Sequence, residues 1–129
     1  MSDLMKHFAR KEFECKCGCG FNSIDYQLLK ILNEIRDYFS VLYGNCQIII
    51  TSGNRCPEHN KKIGGAPKSF HVRGTACDFK VVVDGKELMP EFVYNYLNYK
   101  YKGKFGIRKY NSWVHLDVRE TEHRWQQES

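Results

Sequence analysis

The sequence lacks a long hydrophobic run. No stretch approaches the ~18 consecutive apolar residues that indicate a membrane-spanning helix, and the segment Met1 to His7 contains no apolar core of the kind found in secretory signals. We therefore expect a protein without a membrane span that is made in the cytoplasm without a signal peptide. If it acts outside the cell, another factor must release it.

Internal repeats, linkers and low-complexity segments are also missing. The chain has 129 residues, of which 42% are hydrophobic, so it is long enough and apolar enough to bury one core. We expect a single domain over residues 1–129. Within it, residues 1–22 form a cysteine-rich segment, and residues 120–129 form a charged tail that we expect to be frayed.

Acidic residues are fewer than basic residues. Lysine and arginine number 20 against 15 aspartates and glutamates, which gives a net charge of +5. Such an excess favours an anionic partner, such as nucleic acid, a membrane surface or an acidic polymer, but solubility explains it equally well. Tyrosines and lysines alternate between Tyr94 and Tyr110 and could stack on nucleic-acid bases. Their spacing follows helix and strand packing, so we do not expect nucleic-acid binding. We also expect a monomer.

Six cysteines are present, and in a reducing cytoplasm they are expected to be thiols or metal ligands rather than disulfides. Among Cys15, Cys17 and Cys19, neighbours are separated by one residue, closer than the C-x2–4-C spacing of structural zinc sites, whereas Cys15 and Cys19 fit that spacing. Cys15 and Cys19 could pair in a second, structural zinc site completed by Cys46 or His7. Packed or free thiols are the favoured interpretation, and Cys77 is expected in the core.

Hydrophobic periodicity predicts an α+β domain. Apolar residues recur at helical spacing over 24–42, a helix that Ser23 or Asp25 can cap and Gly44-Asn45 can end. A second helix is predicted over 88–99, with Phe92, Tyr96 and Tyr99 on one side, and a short third helix over 57–63. Short β-rich runs predict strands at 47–51, 76–83, 105–108 and 112–118. We therefore expect a small, mainly antiparallel sheet flanked by helices.

Two histidines and one aspartate have the character of zinc ligands. His71 precedes Asp78 by seven residues across Gly74, which suits a loop that enters a strand. His115 lies on the last predicted strand, so antiparallel pairing could bring it beside Asp78. Three such ligands leave a fourth zinc position open for water, whose pKa falls to about 7 on the metal. Asp117 shares the face of His115, because side chains on a strand repeat every second residue, and could orient that ligand.

Four ordered motifs carry a resemblance to a known family. They are Thr51-Ser-Gly-Asn-Arg55-Cys-Pro-Glu-His-Asn60, Gly64-Gly-Ala66, Ser69-x-His71-x-x-Gly74-x-Ala76-x-Asp78 and Trp113-Val-His115-Leu-Asp117-Val-Arg119. Together they resemble the zinc D-alanyl-D-alanine carboxypeptidase family (peptidase family M15), and most closely its compact branch from bacteria and their phages. The resemblance covers about residues 13–119. It implies the fold that this family shares with the signalling domain of hedgehog proteins.

The resemblance also implies a function and a set of site residues. His71, Asp78 and His115 would be the zinc ligands, Arg55 would bind the substrate carboxylate or steady the developing oxyanion, and Ser69 would line the substrate pocket. The substrates would be peptides of bacterial peptidoglycan, cut as a carboxypeptidase or as an L-alanyl-D-glutamate endopeptidase. The expected lack of a signal peptide would suit a phage lysin.

The sequence departs from the family pattern at Ser112. Active members usually carry an aspartate or glutamate three residues before the last histidine, where it acts as general base and acid. A serine hydroxyl cannot hold a proton in that way at neutral pH. Asp117 or another carboxylate could take over this catalytic role, or zinc alone could support slow hydrolysis. The alternative function is a zinc-containing, non-catalytic module that binds cell wall or protein.

Overall fold

The computed structural model describes residues 8, 10–13, 15, 25–53 and 75–126. A short 3-10 helix (Arg10–Phe13) precedes helix α1 (Tyr26–Tyr43). Strands β1 (Cys46–Ser52), β2 (Ala76–Val83) and β3 (Lys86–Glu87) follow. Helix α2 (Pro90–Lys100) leads to strands β4 (Gly106–Lys109), β5 (Val114–Asp117) and β6 (His123–Gln126). No helix in these segments is long and apolar enough to cross a membrane. The α+β prediction is confirmed.

Helix α1 follows the predicted pattern closely. The Asp25 side chain accepts a hydrogen bond from the Leu28 backbone N–H at 3.1 Å, which satisfies one of the donors left unpaired at a helix start. Gly44 ends the helix with φ of 100°, a conformation that glycine adopts without a Cβ clash. The apolar face that the periodicity predicts is buried: Leu28, Leu32, Ile35 and Phe39 are each at most 2% exposed.

The six strands form one sheet in the order β1-β2-β5-β4-β6, with β3 paired to β2 alone. All pairs are antiparallel except β4 with β6, which run parallel. The prediction of a mainly antiparallel sheet is confirmed. The strands at 46–52 and 76–83 lie where the sequence places them, and Asp84-Gly85 makes the turn to β3.

The prediction of a frayed tail was wrong, because residues 123–126 form the edge strand β6. The His123 N–H donates to the Phe105 carbonyl at 3.0 Å. The Arg124 guanidinium donates to the carbonyls of Tyr101 and Lys104 at 2.7 and 2.8 Å. Strand β6 thus satisfies backbone groups on the open edge of β4, which charge content along the tail does not reveal.

The two faces of the sheet have different chemistry. One face packs with the helices in a single core, which includes Cys77, Phe79, Ile107, Val114 and Leu116. Cys77 is fully buried there, as predicted. The side of α2 that carries Phe92 and Tyr99 is the outer one, with these rings 48% and 79% exposed, while Val93, Tyr94 and Leu97 turn inward. The opposite sheet face carries polar and charged side chains.

Candidate metal centre

Strand register brings the candidate residues into one row on the polar face. Asp78 on β2 pairs with His115 on β5, and His115 pairs in turn with Arg108 on β4. Residues that pair across neighbouring strands present their side chains to the same face. Ser52 pairs with Asp78 from β1, next to a register shift. The prediction that antiparallel strands bring Asp78 and His115 together is confirmed.

Asp78 and His115 are in direct contact. The His115 Nδ1 lies 2.9 Å from the Asp78 Oδ1. Their side chains are 11% and 15% exposed respectively. The pair is therefore mostly buried but retains an opening to solvent, which a site that receives an ion or a substrate requires.

The other ring nitrogen of His115 faces a second carboxylate. Its Nε2 lies 2.8 Å from the Asp117 Oδ2, and the Asp117 side chain is 0% exposed. Arg119 donates to both oxygens of Asp117, from Nε at 2.7 Å and from Nη2 at 2.8 Å. The imidazole is thus held between two aspartates, one partly open and one fully enclosed.

The charges of this cluster reinforce one another. Burial disfavours the charged imidazolium, but hydrogen bonds and charge from Asp117 and Asp78 outweigh it and raise the pKa of His115. Burial likewise disfavours ionised Asp117, yet His115 and Arg119 hold the pKa of that carboxyl well below its usual range. Asp117 is therefore an anion at all physiological pH values and is acceptor-only towards its neighbours.

The donor set on the solvent side of His115 fits a zinc ion. One imidazole nitrogen and one carboxylate oxygen are ordinary zinc ligands, and two ligands of a tetrahedral zinc lie roughly 3.4 Å apart when each bond is about 2.1 Å. The observed 2.9 Å separation of Nδ1 and Oδ1 is that of a hydrogen bond, so the two atoms would move apart by about 0.5 Å to share a tetrahedral ion. Across the described segments, no group of three or more His, Cys, Asp or Glu side chains could hold a metal ion, since Asp117 approaches the opposite nitrogen.

Three of the predicted site residues, Arg55, Ser69 and His71, lie outside the described residues, as does the short helix predicted at 57–63. Ser112 lies in the exposed turn that joins β4 to β5. Their roles stay predictions. The same holds for a structural zinc site at Cys15 and Cys19, of which only Cys15 is described; its side chain is buried, like those of Cys46 and Cys77.

An aromatic stack lies two residues along from Arg108 and His115, just beyond the ends of β4 and β5. The rings of Tyr110 and Trp113 are stacked with centroids 4.4 Å apart, and the Arg108 guanidinium lies 4.5 Å from the Tyr110 centroid. Such a cation over an aromatic face is held by the ring quadrupole. The stack holds the Arg108 guanidinium on β4, whose residue pairs with His115 in the sheet.

Sequence reasoning missed Arg119 and Gly106. Arg119 stands at the end of the Trp113–Arg119 motif, and its spacing of two from Asp117 was the available signal, because residues two apart on an extended chain share a face. Gly106 carries no local signal. Its importance follows only from its pairing with Asp117 across β4 and β5.

These features define an α+β domain whose sheet carries a partly open imidazole–carboxylate pair backed by a buried ion pair. The family model described as Peptidase M15 matches residues 6–117. The match covers most of the chain, and the chain belongs to the M15 peptidase family. It is therefore a peptidase by family. No match was found among curated proteins or among solved structures.

Proposed function

We propose that the chain is a zinc metallopeptidase that hydrolyses peptide bonds in the stem peptides of bacterial peptidoglycan. The observation that carries the proposal is the contact of His115 Nδ1 with Asp78 Oδ1 at 2.9 Å, in a chain whose residues 6–117 match the M15 family. His71 would complete the ligand set from the loop before β2. The bound zinc would supply a hydroxide at neutral pH and polarise the scissile carbonyl.

The remaining residues would bind and orient the peptide. Arg55 would pair with the substrate carboxylate or with the developing oxyanion, since a guanidinium is permanently charged and can bind two oxygens at once. Ser69 would line the pocket. The net charge of +5 favours approach to an anionic cell wall. Cleavage as a carboxypeptidase or as an L-alanyl-D-glutamate endopeptidase is equally compatible with these residues.

A second function, a zinc-containing module that binds cell wall or protein without cutting it, is favoured by one observation. Ser112, at the position where the family resemblance implies a general base, is an exposed serine in a turn. Asp117, which could replace that base, is fully enclosed and bonded to His115 and Arg119. Neither group supplies an accessible carboxylate to the solvent side of the Asp78–His115 pair.

The test incubates zinc-loaded protein with defined peptidoglycan peptides and follows the products by mass spectrometry. His71→Ala and Asp78→Asn serve as controls that each remove one proposed ligand. We expect a product that is absent with both variants, and its mass names the bond: loss of one terminal alanine for a carboxypeptidase, a split of the stem for an endopeptidase. Zinc binding without a product would favour the binding module, and no zinc binding would overturn both functions.

A further inference from the structure

The His115 ring is held differently at its two nitrogens. On the Nδ1 side, Asp78 is partly open to solvent, whereas on the Nε2 side Asp117 is completely enclosed. A ligand that enters from solvent can therefore reach Nδ1 without disturbing the enclosed carboxylate. Either nitrogen of the His115 ring can in principle bind a metal ion, and the surroundings of the ring favour Nδ1.

Asp117 is locked in place by Arg119. Both carboxylate oxygens accept bonds from the guanidinium at 2.7 and 2.8 Å, and Oδ1 also accepts the Arg119 backbone N–H at 3.3 Å. Paired bonds of this kind fix both position and orientation. Moving Asp117 towards a metal ion or a water molecule would break this pair and leave a buried charge without its partner, which is strongly unfavourable.

Gly106 provides the space for this ion pair. A Cβ atom at Gly106 would lie 2.3 and 2.5 Å from the two Asp117 oxygens and 2.6 Å from the Arg119 Nε. Any residue with a side chain would push the carboxylate or the guanidinium out of its place. Gly106 on β4, Asp117 on β5 and Arg119 after β5 thus pack closely together beside the Nε2 of His115.

A buried ion pair is weak evidence for a stabilising role, because desolvation of both charges offsets most of their attraction. The arrangement does have a direct effect on the imidazole. An anion that accepts the Nε2 proton keeps that proton on Nε2, leaves the Nδ1 lone pair for a ligand and makes Nδ1 more basic. A metal-binding histidine is commonly oriented in this way by a carboxylate.

We infer that Asp117 and Arg119, seated against Gly106, are positioning residues that make Nδ1 the metal-binding nitrogen of His115. The inference rests on the proposed function, because it concerns the same metal ion. It assigns to Asp117 a role other than general base: Asp117 acts through His115 and does not touch the reacting atoms.

The first experiment identifies the metal-binding nitrogen directly in the wild-type chain. The full chain, labelled with ¹⁵N at histidine, is loaded with ¹¹³Cd²⁺ as a stand-in for zinc, and couplings between cadmium and the ring nitrogens are recorded by NMR. His115→Gln, recorded without metal, assigns the ring-nitrogen signals of His115 by removing them. We expect a cadmium coupling to Nδ1 of His115 and a proton on Nε2. A cadmium coupling to Nε2 would overturn the inference and leave the proposed zinc site standing.

The second experiment measures zinc affinity by competition with a chromogenic chelator. Asp117→Asn keeps the shape of the side chain and removes its charge, and we expect it to weaken zinc binding about 10–100-fold. Asp37→Asn makes the same chemical change on an exposed side chain and should leave the affinity unchanged. Equal affinity in a folded Asp117→Asn protein would contradict the positioning role. If the wild-type chain binds neither zinc nor cadmium, the proposed metal site itself fails.

Discussion

At the scale of single residues, Gly106 is the position where the smallest change should matter most. Gly106→Ala places a methyl group against the Asp117 oxygens at 2.3 Å, and such overpacking costs about 1–3 kcal/mol in the free energy of unfolding. We expect a lower urea midpoint together with weaker zinc binding. Gly103→Ala is the comparison, since nothing lies within 4 Å of its added methyl although its φ is +86°.

The two glycine variants separate backbone strain from packing. Gly103→Ala should lose stability through its positive φ alone, by about 1 kcal/mol, and should keep its zinc affinity. A Gly106→Ala protein with wild-type stability and zinc affinity would show that the Asp117–Arg119 pair relaxes without consequence. That result would contradict a close fit around His115.

Ser112 is the residue whose substitution is expected to raise the rate of peptide hydrolysis. Ser112→Asp introduces a carboxylate three residues before His115, where general acid–base catalysis contributes typically about 10²–10⁴-fold. We expect kcat/KM on a defined stem peptide to rise, by tenfold or more on that scale. Ser112→Asn is the matched control, because it has the same shape and no carboxylate. An unchanged rate in Ser112→Asp would indicate that another group already serves as the base.

At the scale of secondary-structure elements, the start of α1 depends on one side chain. Asp25→Ala removes the acceptor for the Leu28 N–H and should lower the free energy of unfolding by about 1 kcal/mol. Asp37→Ala in the same helix removes a carboxylate that is 70% exposed and should have a smaller effect. Urea unfolding of both variants checks this. Equal losses would mean that helix charge, and not the cap, determines the effect.

The two helices are joined by a polar contact at the end of α2. The Tyr101 hydroxyl donates to the Glu34 carboxylate, and the Lys100 ammonium lies 3.2 Å from the same oxygen. Burial disfavours the charge on Glu34, but the bonds from Tyr101 and Lys100 outweigh it and lower the pKa of Glu34. Because the folded pKa is below the unfolded one, this stabilisation is present above the unfolded pKa of about 4.3 and is lost as pH falls through the folded pKa.

Glu34→Gln should therefore be destabilising at pH 7, by about 1 kcal/mol, because a neutral amide oxygen accepts weaker hydrogen bonds from Tyr101 and Lys100 than the carboxylate does. The difference from wild type should shrink as the pH is lowered through the folded pKa of Glu34, because the wild-type carboxyl is then protonated as well. Unfolding free energies measured from pH 7 to pH 3 test this. Glu120→Gln, on an exposed side chain, is the control. A pH-independent difference would contradict the electrostatic explanation.

At the scale of the whole molecule, stability and metal content should be linked. A ligand that binds only the folded chain stabilises it, by about 4 kcal/mol when it is present at a thousand times its Kd. We expect a chelator to lower the Tm of the zinc-loaded protein and added zinc to restore it. Asp78→Asn should show a much smaller response to the chelator. A wild-type Tm that changes with neither chelator nor added zinc would argue against a metal in the folded chain.

Much of the fold follows from local patterns in the sequence. The apolar stripe from Leu28 to Phe39, the Asp25 cap and the Asp84-Gly85 turn each involve residues within a few positions of one another. Such patterns depend on helix and strand periodicity, which the chain specifies without distant partners. The contact of Asp78 with His115 was also predictable, because alternation on two antiparallel strands leaves few ways to pair them. Arg55, Ser69 and His71 stay predictions from motif resemblance.

Tertiary structure decided the features that depend on distant partners. The tail becomes β6 because β4 offers an open edge, and the side of α2 that carries Tyr99 faces outward because Val93, Tyr94 and Leu97 fill the core. Asp117 looks like a second candidate base in the sequence, but its enclosure by Arg119 and Gly106 makes it a support for His115. Burial and charge pairing arise only when strands meet, so local sequence carries no record of them.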